Sequence, residues 1–331
     1  MVQLLKKQTI PALVFALVLV LLMGIVLVSS QAAPVAEPSA PYPFAKWLLG
    51  LFQPDFTNIF WAKAFTVIFL LLFAMYFHYL VSSYQVLFKN SSFPAVFIVF
   101  FSVLFSMAST LNIETCNNLF LMLAFHNLWQ TQNHDTKIVT LLNVGFFFSF
   151  TVLLIPQYIL LLPAILIGYS ILGNPKLADF FKILWAFVTP ILLALFLCYF
   201  FDRMDLAYSY FHEPFFQFRT SWKPNISQYV SLAVLLLFLI IILNRLRSNF
   251  YRNNVRNRRI QLSMVVFLFF AFLLSLINRK SFADGFSMLA IPLSIFFSYY
   301  FVSGKNKFWA ELSFVILLLC FLILQFDGIF Y

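Results

Sequence analysis

The chain has 331 residues, of which 63% are hydrophobic and only 10% are charged, and its formal net charge is +10. Soluble domains usually carry about 25% charged residues, and so few charges could not cover the surface of an ordinary soluble protein, which this composition therefore excludes. Apolar runs of about 20 residues, the length that a helix needs to cross a bilayer, recur throughout. The sequence predicts an all-α, polytopic bundle of transmembrane helices, with residues 1–331 forming a single integral-membrane domain.

The first apolar segment covers residues 11–30 and follows Lys6 and Lys7. It is longer than the roughly 7–15 apolar residues of a signal-peptide core, which favours an uncleaved signal anchor. The small residues at 31–33 nevertheless look like a cleavage site. Whether this first span is removed therefore stays open at the level of sequence.

Ten further spans bring the predicted total to about eleven. They cover residues 59–82, 93–110, 113–129, 138–155, 157–172, 183–201, 226–244, 260–277, 286–303 and 309–325. The spans 138–155 and 157–172 are short and meet at Pro156 and Gln157. They form either a tight hairpin or a re-entrant pair, and in the second case the count falls to nine or ten.

The distribution of lysine and arginine predicts the orientation, because these residues accumulate in cytoplasmic loops. With a cytoplasmic N-terminus and an outward-facing C-terminus, 14 of the 21 basic residues lie inside. Only three of the 11 acidic residues do so, namely Asp135, Asp179 and Glu311. The pattern is typical of a multi-pass membrane protein whose cytoplasmic face is basic.

The most basic loop, residues 244–259, contains six arginines and no acidic residue. It joins two spans directly and is too short to hold a folded nucleic-acid reader, so no nucleic acid is predicted as a partner. A topology determinant that attracts anionic lipid headgroups, at about 1 kcal/mol per charge, is the favoured interpretation. The predicted lipid contacts are Arg245, Arg247, Arg252, Arg256, Arg258 and Arg259.

The predicted outer loop 31–58 begins with a proline-rich stretch, which favours extended chain. The apolar residues Phe44, Trp47, Leu48, Leu51 and Phe52 then recur at helical spacing. That spacing predicts an amphipathic helix lying in the membrane interface. Asp55 follows this helix and is the candidate catalytic residue.

A second predicted outer loop, residues 202–225, mixes acidic, basic and histidine side chains. Carboxylates and histidine can exchange protons, and arginine can bind phosphate oxygens in a bidentate way. An ordinary polar loop with interfacial aromatic residues is the alternative. The candidate substrate-binding residues are Asp202, Arg203, Asp205, His212, Glu213 and Arg219 from this loop, and Glu114 at the start of the fourth span.

Glu114 is also explained by its position, because an acid at a helix N-terminus gains roughly 0.3–1 kcal/mol. The nearby Asn112, Asn117 and Asn118 could hydrogen-bond across helices. The histidines have no metal-ligand spacing and the three cysteines lie far apart, so neither a metal nor a cofactor is predicted. The 47 phenylalanines are expected mainly at lipid-facing positions.

Several apolar segments resemble an uncharacterised, domain-of-unknown-function family of bacterial polytopic inner-membrane proteins. They are NNLFLMLAFHNLW (117–129), LLNVGFFFSFTVLLIPQYILLLPAIL (141–166), FVTPILLALFLCYFFD (187–202), AIPLSIFFSYYF (290–301) and KNKFWAELSFVILLL (305–319). The resemblance implies an inner-membrane location and no established activity.

The layout of a first span, an outer loop with an interfacial helix and an acid, and then a long bundle is similar to that of integral-membrane glycosyltransferases. Those enzymes use polyprenyl-phosphate sugars, and the resemblance implies that Asp55 would act as the general base. Two functions are therefore expected. One is the handling of a lipid-linked sugar or isoprenoid lipid at the outer face in cell-envelope biogenesis. The other is a non-catalytic membrane subunit of an envelope assembly or secretion complex, with a membrane-protein partner.

Overall fold

The structure is a computed structural model, and the part of the chain that it describes contains helices and no strands. It describes residues 59–87, 89–106, 113–132, 137–173, 175–205, 207–208, 226–250, 254–277, 286–304 and 307–326, together with Leu5, Val18 and Phe44. The ten α-helices in these ranges are α1 (Ile59–Ser83), α2 (Phe93–Ser106), α3 (Ile113–Gln130), α4 (Lys137–Leu154), α5 (Leu162–Leu172), α6 (Leu177–Phe200), α7 (Ile226–Asn249), α8 (Val255–Ile277), α9 (Ala290–Ser303) and α10 (Lys307–Phe326).

Each predicted span from residue 59 onward coincides with one of these helices, but the structure supports fewer membrane crossings than the eleven predicted. Among the described residues, five stretches are long and apolar enough to cross a membrane: Ala64–Ser83, Lys137–Leu154, Leu177–Phe200, Gln228–Asn249 and Val255–Leu276. α2 and α9 have 14 residues each, or about 21 Å of helix against about 30 Å of hydrocarbon. The first predicted span, 11–30, lies outside the described residues except for Val18.

Side-chain contacts sort the helix ends into two groups. Arg245 near the end of α7 reaches Ser303 at the end of α9, and Arg259 near the start of α8 reaches Leu172 at the end of α5. We call this the basic end, because it carries Lys89, Lys137, Lys176, Lys182, Arg245, Arg247, Arg256, Arg258 and Arg259. The opposite end includes the start of α3 and the end of α6. Placing the basic end in the cytoplasm stays a prediction.

The antiparallel helices α2 and α9 form the interior of the bundle. Every described residue of α2, 93–105, is buried, and in α9 only Tyr300, Val302 and Ser303 are partly exposed. Phenylalanine rings pack between the two helices. The ring centroids of Phe97 and Phe301 lie 5.2 Å apart, and those of Phe101 and Phe297 lie 5.0 Å apart. The expectation that phenylalanines mainly face lipid is therefore wrong for α2 and α9, where stacked and edge-to-face rings fill the core.

A second tight contact joins α4 and α6, which run parallel. An added Cβ at Gly145 would touch the carbonyl oxygen of Ile183 and lie 2.8 Å from the amide nitrogen of Phe187. Only glycine lets the two backbones approach this closely, as small residues do at helix contacts in membranes. Phe148 and Phe187 continue the seam one turn further, with ring centroids 5.7 Å apart.

The second half of α6 lies at the periphery of the bundle. None of residues 191–205 is buried among the described residues. Its exposed side chains include Leu193, Phe196 and Phe200, which are 62–69% exposed. A helix with such a face is compatible with contact to lipid chains or to another apolar surface.

Candidate functional site

A cluster of buried polar side chains lies at the opposite end, between α3 and two short 3-10 segments. These segments are Pro156–Leu161, which leads into α5, and Ser287–Leu289, which leads into α9. Asn118 donates from Nδ2 to the carbonyl oxygen of Ser287 over 3.1 Å. The hydroxyl of Tyr158 lies 3.4 Å from that of Ser287. We call Asn117, Asn118, Tyr158 and Ser287 the amide cluster.

Within the described part of the chain, neither polar atom of the Asn117 side chain has a hydrogen-bond partner, although the side chain is fully buried. Its exposure is 0%, and both Nδ2 and Oδ1 lack a partner, as does Oδ1 of Asn118. Leaving a buried donor or acceptor unsatisfied costs about 1–3 kcal/mol. Unsatisfied groups of this kind are uncommon in folded proteins, and a site for a bound molecule is one physical explanation for them.

The 3-10 segments explain why polar backbone and side chains can lie at this depth. Pro156 has no N–H to donate, and Ile155 before it is extended, so α4 ends there and a 3-10 turn begins. In a membrane, irregular backbone is tolerated only where protein or water covers it. Buried interruptions of this kind are typical of ligand sites in membrane transporters. The break predicted at Pro156 and Gln157 is confirmed as a 3-10 turn running directly into α5.

The amide cluster can bind but has little catalytic equipment. Its groups are two amides and two hydroxyls, which donate and accept hydrogen bonds without a net charge. Among the described residues, no group of three histidine, cysteine or acidic side chains is placed to hold a metal ion. The arrangement suits a neutral, hydroxyl- or carbonyl-bearing group better than an anion.

The sequence indicated part of this cluster. Asn117 and Asn118 were predicted to hydrogen-bond across helices, and Asn118 does so, whereas Asn117 does not. Tyr158 and Ser287 were missed, because they lie 129 residues apart and each belongs to a largely apolar segment. The proline before Tyr158 is the only local signal that could have drawn attention to it.

Three of the predicted substrate residues of the second outer loop lie within the described part of the chain, and the amide cluster includes none of the three. Asp202, Arg203 and Asp205 are exposed at the end of α6. Asp202 has a φ of 51°, its N–H donates to Tyr199, and the N–H of Arg203 donates to Cys198 over 2.8 Å. This is a Schellman motif that ends the helix, so the structure gives Asp202 and Arg203 a local backbone role. Substrate binding by Asp202, Arg203 and Asp205 stays a prediction.

Glu114 lies in the first turn of α3 and is partly buried, three residues before the amide cluster. Its position agrees with the predicted stabilisation of a helix N-terminus. The remaining predicted site residues lie outside the described residues: Asp55, His212, Glu213, Arg219 and Arg252. In the predicted interfacial helix only Phe44 is described, and its ring lies 6.2 Å from that of Phe150 on α4.

The arginines predicted to contact anionic lipid have several distinct environments at the basic end. Arg245 donates to Ser303 O over 3.0 Å, and Arg259 donates to Leu172 O over 3.3 Å. These are the last residues of α9 and α5, where carbonyls lack helical partners and cations are favoured. Two arginines therefore stabilise neighbouring helix ends, and lipid contact by any of the six stays a prediction.

The basic end also contains a fully partnered buried acid that the sequence did not single out. Asp179 is 3% exposed and accepts from Nζ of Lys137 and Nζ of Lys182, each over 2.9 Å. The hydroxyl of Tyr169 donates to the same carboxylate over 2.7 Å, and the N–H of Lys176 over 3.4 Å. The i, i+3 spacing of Asp179 and Lys182 was visible in the sequence, but the partners from α4 and α5 were not.

Comparison with known families gives the chain a membership without an activity. A model described as "Family of unknown function (DUF6427)" matches residues 42–330. No curated protein and no solved structure matches the chain. Since the match covers most of the sequence, the chain belongs to this family of unknown function.

Proposed function

We propose that this member of the family binds a lipid with a neutral polar headgroup inside its helix bundle, with the headgroup at the amide cluster. The observation that supports the proposal best is Asn117, whose side chain is fully buried and has both polar atoms unpartnered. Headgroup hydroxyls, which donate and accept, would satisfy both polar atoms, and a headgroup carbonyl would satisfy Nδ2, in each case reducing a cost of about 1–3 kcal/mol.

A lipid is the preferred ligand class because the polar groups lie within an apolar bundle. Phe105 and Phe286 stack 6.2 Å apart beside the second 3-10 segment. Acyl or isoprenoid chains pack against such surfaces, while a few polar groups fix the headgroup. A sugar-bearing or isoprenoid lipid, handled at the outer face of a bacterial inner membrane during envelope biogenesis, fits this chemistry. Asp55 is the candidate base if the protein is an enzyme.

Native mass spectrometry of the full-length protein, extracted gently from its own membrane, tests the proposal. The wild type is expected to retain a lipid, and Asn117→Leu is expected to lose it, because leucine has similar size and no hydrogen-bonding group. Asn127→Leu is the matched control, since Asn127 is a buried amide of the same helix that already donates to Leu123 O over 2.9 Å. Equal lipid retention in wild type and Asn117→Leu would refute headgroup binding at Asn117.

The exposed face of α6 supports a second candidate function, a non-catalytic subunit of a membrane assembly. Trp185 is 71% exposed and Phe196 is 63% exposed. Large aromatic side chains are enriched at protein interfaces and commonly dominate binding energy. The double substitution Trp185→Ser and Phe196→Ser is expected to release a co-purifying partner in mild detergent, whereas Leu72→Ser on the exposed face of α1 is not. If both variants retain the same partners as the wild type, this face is not the interface.

A further inference from the structure

We propose that the basic end contains a phosphate-binding site formed by Tyr84, His126, Trp129 and Arg256, and that a phospholipid headgroup occupies it. This site is separate from the amide cluster, which lies at the opposite end. Its ligand is an anion, whereas the amide cluster suits a neutral group. The two proposals therefore stand or fall independently.

We call Tyr84, His126, Trp129 and Arg256 the Tyr84 cluster, because the other three side chains all contact the Tyr84 ring. The Tyr84 ring lies 5.7 Å from that of His126 and 5.8 Å from that of Trp129, in both cases edge-on. The guanidinium of Arg256 lies 5.5 Å above the Tyr84 ring. The ring of Tyr76 stacks on that of His126 with the centroids 6.0 Å apart. Three elements, α1, α3 and α8, thus bring these side chains together.

The backbone around Tyr84 is fixed by its own contacts. The turn after α1 is a Schellman motif, in which Gln85 has a φ of 50° and the N–H of Val86 donates to Val81 O. Gln261 of α8 then donates to Val86 O over 3.1 Å. The Tyr84 ring and the start of α8 are therefore held in a defined relation before any ligand binds.

Two buried nitrogens of the cluster have no hydrogen-bond partner. Nε1 of Trp129, whose side chain is 0% exposed, can only donate, and Nδ1 of His126 is likewise unpartnered. Burial raises the pKa of the Tyr84 hydroxyl above its ordinary value, more than Arg256 lowers it, so the phenol stays protonated and can donate too. An indole N–H, a phenol O–H and a guanidinium in contact with one ring are donors of the kind that bind phosphate oxygens.

The surroundings favour an anion and disfavour a cation. Arg256 is exposed, and Arg258 and Arg259 follow it on the same helix. The described acids at this end are Asp179, which is bound by two lysines, and Glu311, which is exposed on α10. The site lies where α1 and α3 end and α8 begins, at the depth expected for lipid headgroups if the basic end faces one membrane surface.

Binding by the delipidated, full-length protein in mild detergent tests the site. The probes are a short-chain phosphatidylglycerol, the corresponding phosphatidylcholine, and inorganic phosphate. We expect phosphatidylglycerol to bind, and Arg256→Gln to weaken that binding about tenfold, the effect of losing one charge-assisted hydrogen bond. Trp129→Phe, which removes only the indole N–H, is expected to weaken it several-fold. Lys176→Gln is the control, because Lys176 is an exposed basic residue of the same end that is not among the predicted lipid contacts.

Two outcomes support the site and separate the possible sources of its ligand. Binding of phosphatidylglycerol without inorganic phosphate identifies a lipid headgroup, and binding of both identifies phosphate itself as the recognised group. If Lys176→Gln and Arg256→Gln weaken binding equally, the attraction is a general property of the basic end and the proposal is wrong. If Arg256→Gln weakens binding but Trp129→Phe does not, the buried donors take no part and the site as proposed is wrong.

Discussion

Asp179 and Asn117 are both buried polar side chains of the same bundle, but their surroundings differ in one decisive way. Asp179 accepts hydrogen bonds from four donors on three elements, α4, α5 and the start of α6. Asn117 makes none. A buried polar group whose hydrogen bonds are all made stabilises the packing around it. A buried polar group without hydrogen bonds lowers stability, and a bound ligand could supply the missing bonds. We therefore interpret the Asp179 region as structural and the amide cluster as functional.

The largest effect on stability is expected at Gly145, where the backbones of α4 and α6 approach each other closely. Gly145→Ala would place a methyl group against the carbonyl of Ile183 and 2.8 Å from Phe187 N, both backbone atoms that cannot move cheaply. We expect a loss of about 3 kcal/mol or failure to accumulate in the membrane. Thermal unfolding in mild detergent measures it.

Gly168→Ala is the matched control for this substitution. A methyl group there would meet side-chain atoms of Leu128 and Ser263 at 3.5 and 3.7 Å, which is ordinary van der Waals contact. Since alanine is the better helix former, we expect Gly168→Ala to be neutral or slightly stabilising. Equal destabilisation by the two substitutions would contradict the close α4–α6 approach.

Removing the buried acid tests whether the Asp179 region is structural. Asp179→Ala leaves Lys137 and Lys182 without their shared partner and is expected to cost about 1.5–3 kcal/mol, the range for hydrogen bonds to charged groups. Lys182→Ala should cost less than Asp179→Ala, because the Lys182 side chain is 35% exposed whereas that of Asp179 is 5% exposed. The unfolding temperatures of both variants measure these losses. An unchanged unfolding temperature for Asp179→Ala would show that the ion pairs of Asp179 do not hold the helices together.

A smaller effect is expected within the amide cluster itself. Asn118 is half-satisfied, since Nδ2 donates to Ser287 O while Oδ1 has no partner. Asn118→Leu loses that bond and relieves one unsatisfied acceptor, so we expect a net loss of no more than about 1 kcal/mol. A loss as large as that of Asp179→Ala would mean that Asn118 is a structural residue like Asp179.

The smallest effect is expected at the exposed end of α6. Asp202 holds the left-handed position of the Schellman motif, where glycine is the preferred residue. Asp202→Gly is therefore expected to raise stability by up to about 1 kcal/mol. If Asp202→Gly is stable but abolishes lipid retention in native mass spectrometry, its carboxylate binds the substrate after all and is more than part of a helix end.

The sequence predicted helices well and their partners poorly. Apolar runs located every described helix to within a few residues, because a lipid environment demands a continuous apolar stretch. The same uniformity hid the interior, because nothing in FPAVFIVFFSVLF distinguishes a central helix from a lipid-facing one. The described residues contain five stretches long and apolar enough to cross a membrane, fewer than the spans predicted, because helices such as α2 are short. Paired residues such as Tyr158 and Ser287, or Lys137 and Asp179, become visible only when distant segments are brought together.

Candidate sites were predicted from charge, and that criterion favoured loops over the bundle. It selected Asp202 and Arg203, which end a helix, and it passed over the neutral Asn117, whose burial is the stronger signal. An uncharged amide inside a membrane protein is common at helix contacts, so only its missing hydrogen-bond partners distinguish a candidate ligand site from a structural contact. Those partners are visible only in the three-dimensional structure.

Thermal unfolding of the delipidated Asn117→Leu variant, compared with the delipidated wild type, tests the central assignment most directly. Without ligand, the wild type carries an unsatisfied buried amide and the variant does not. We predict that the variant is more stable, by about 1–3 kcal/mol. A less stable variant would show that Asn117 already contributes to the fold, and it would contradict the proposal that this amide awaits a ligand.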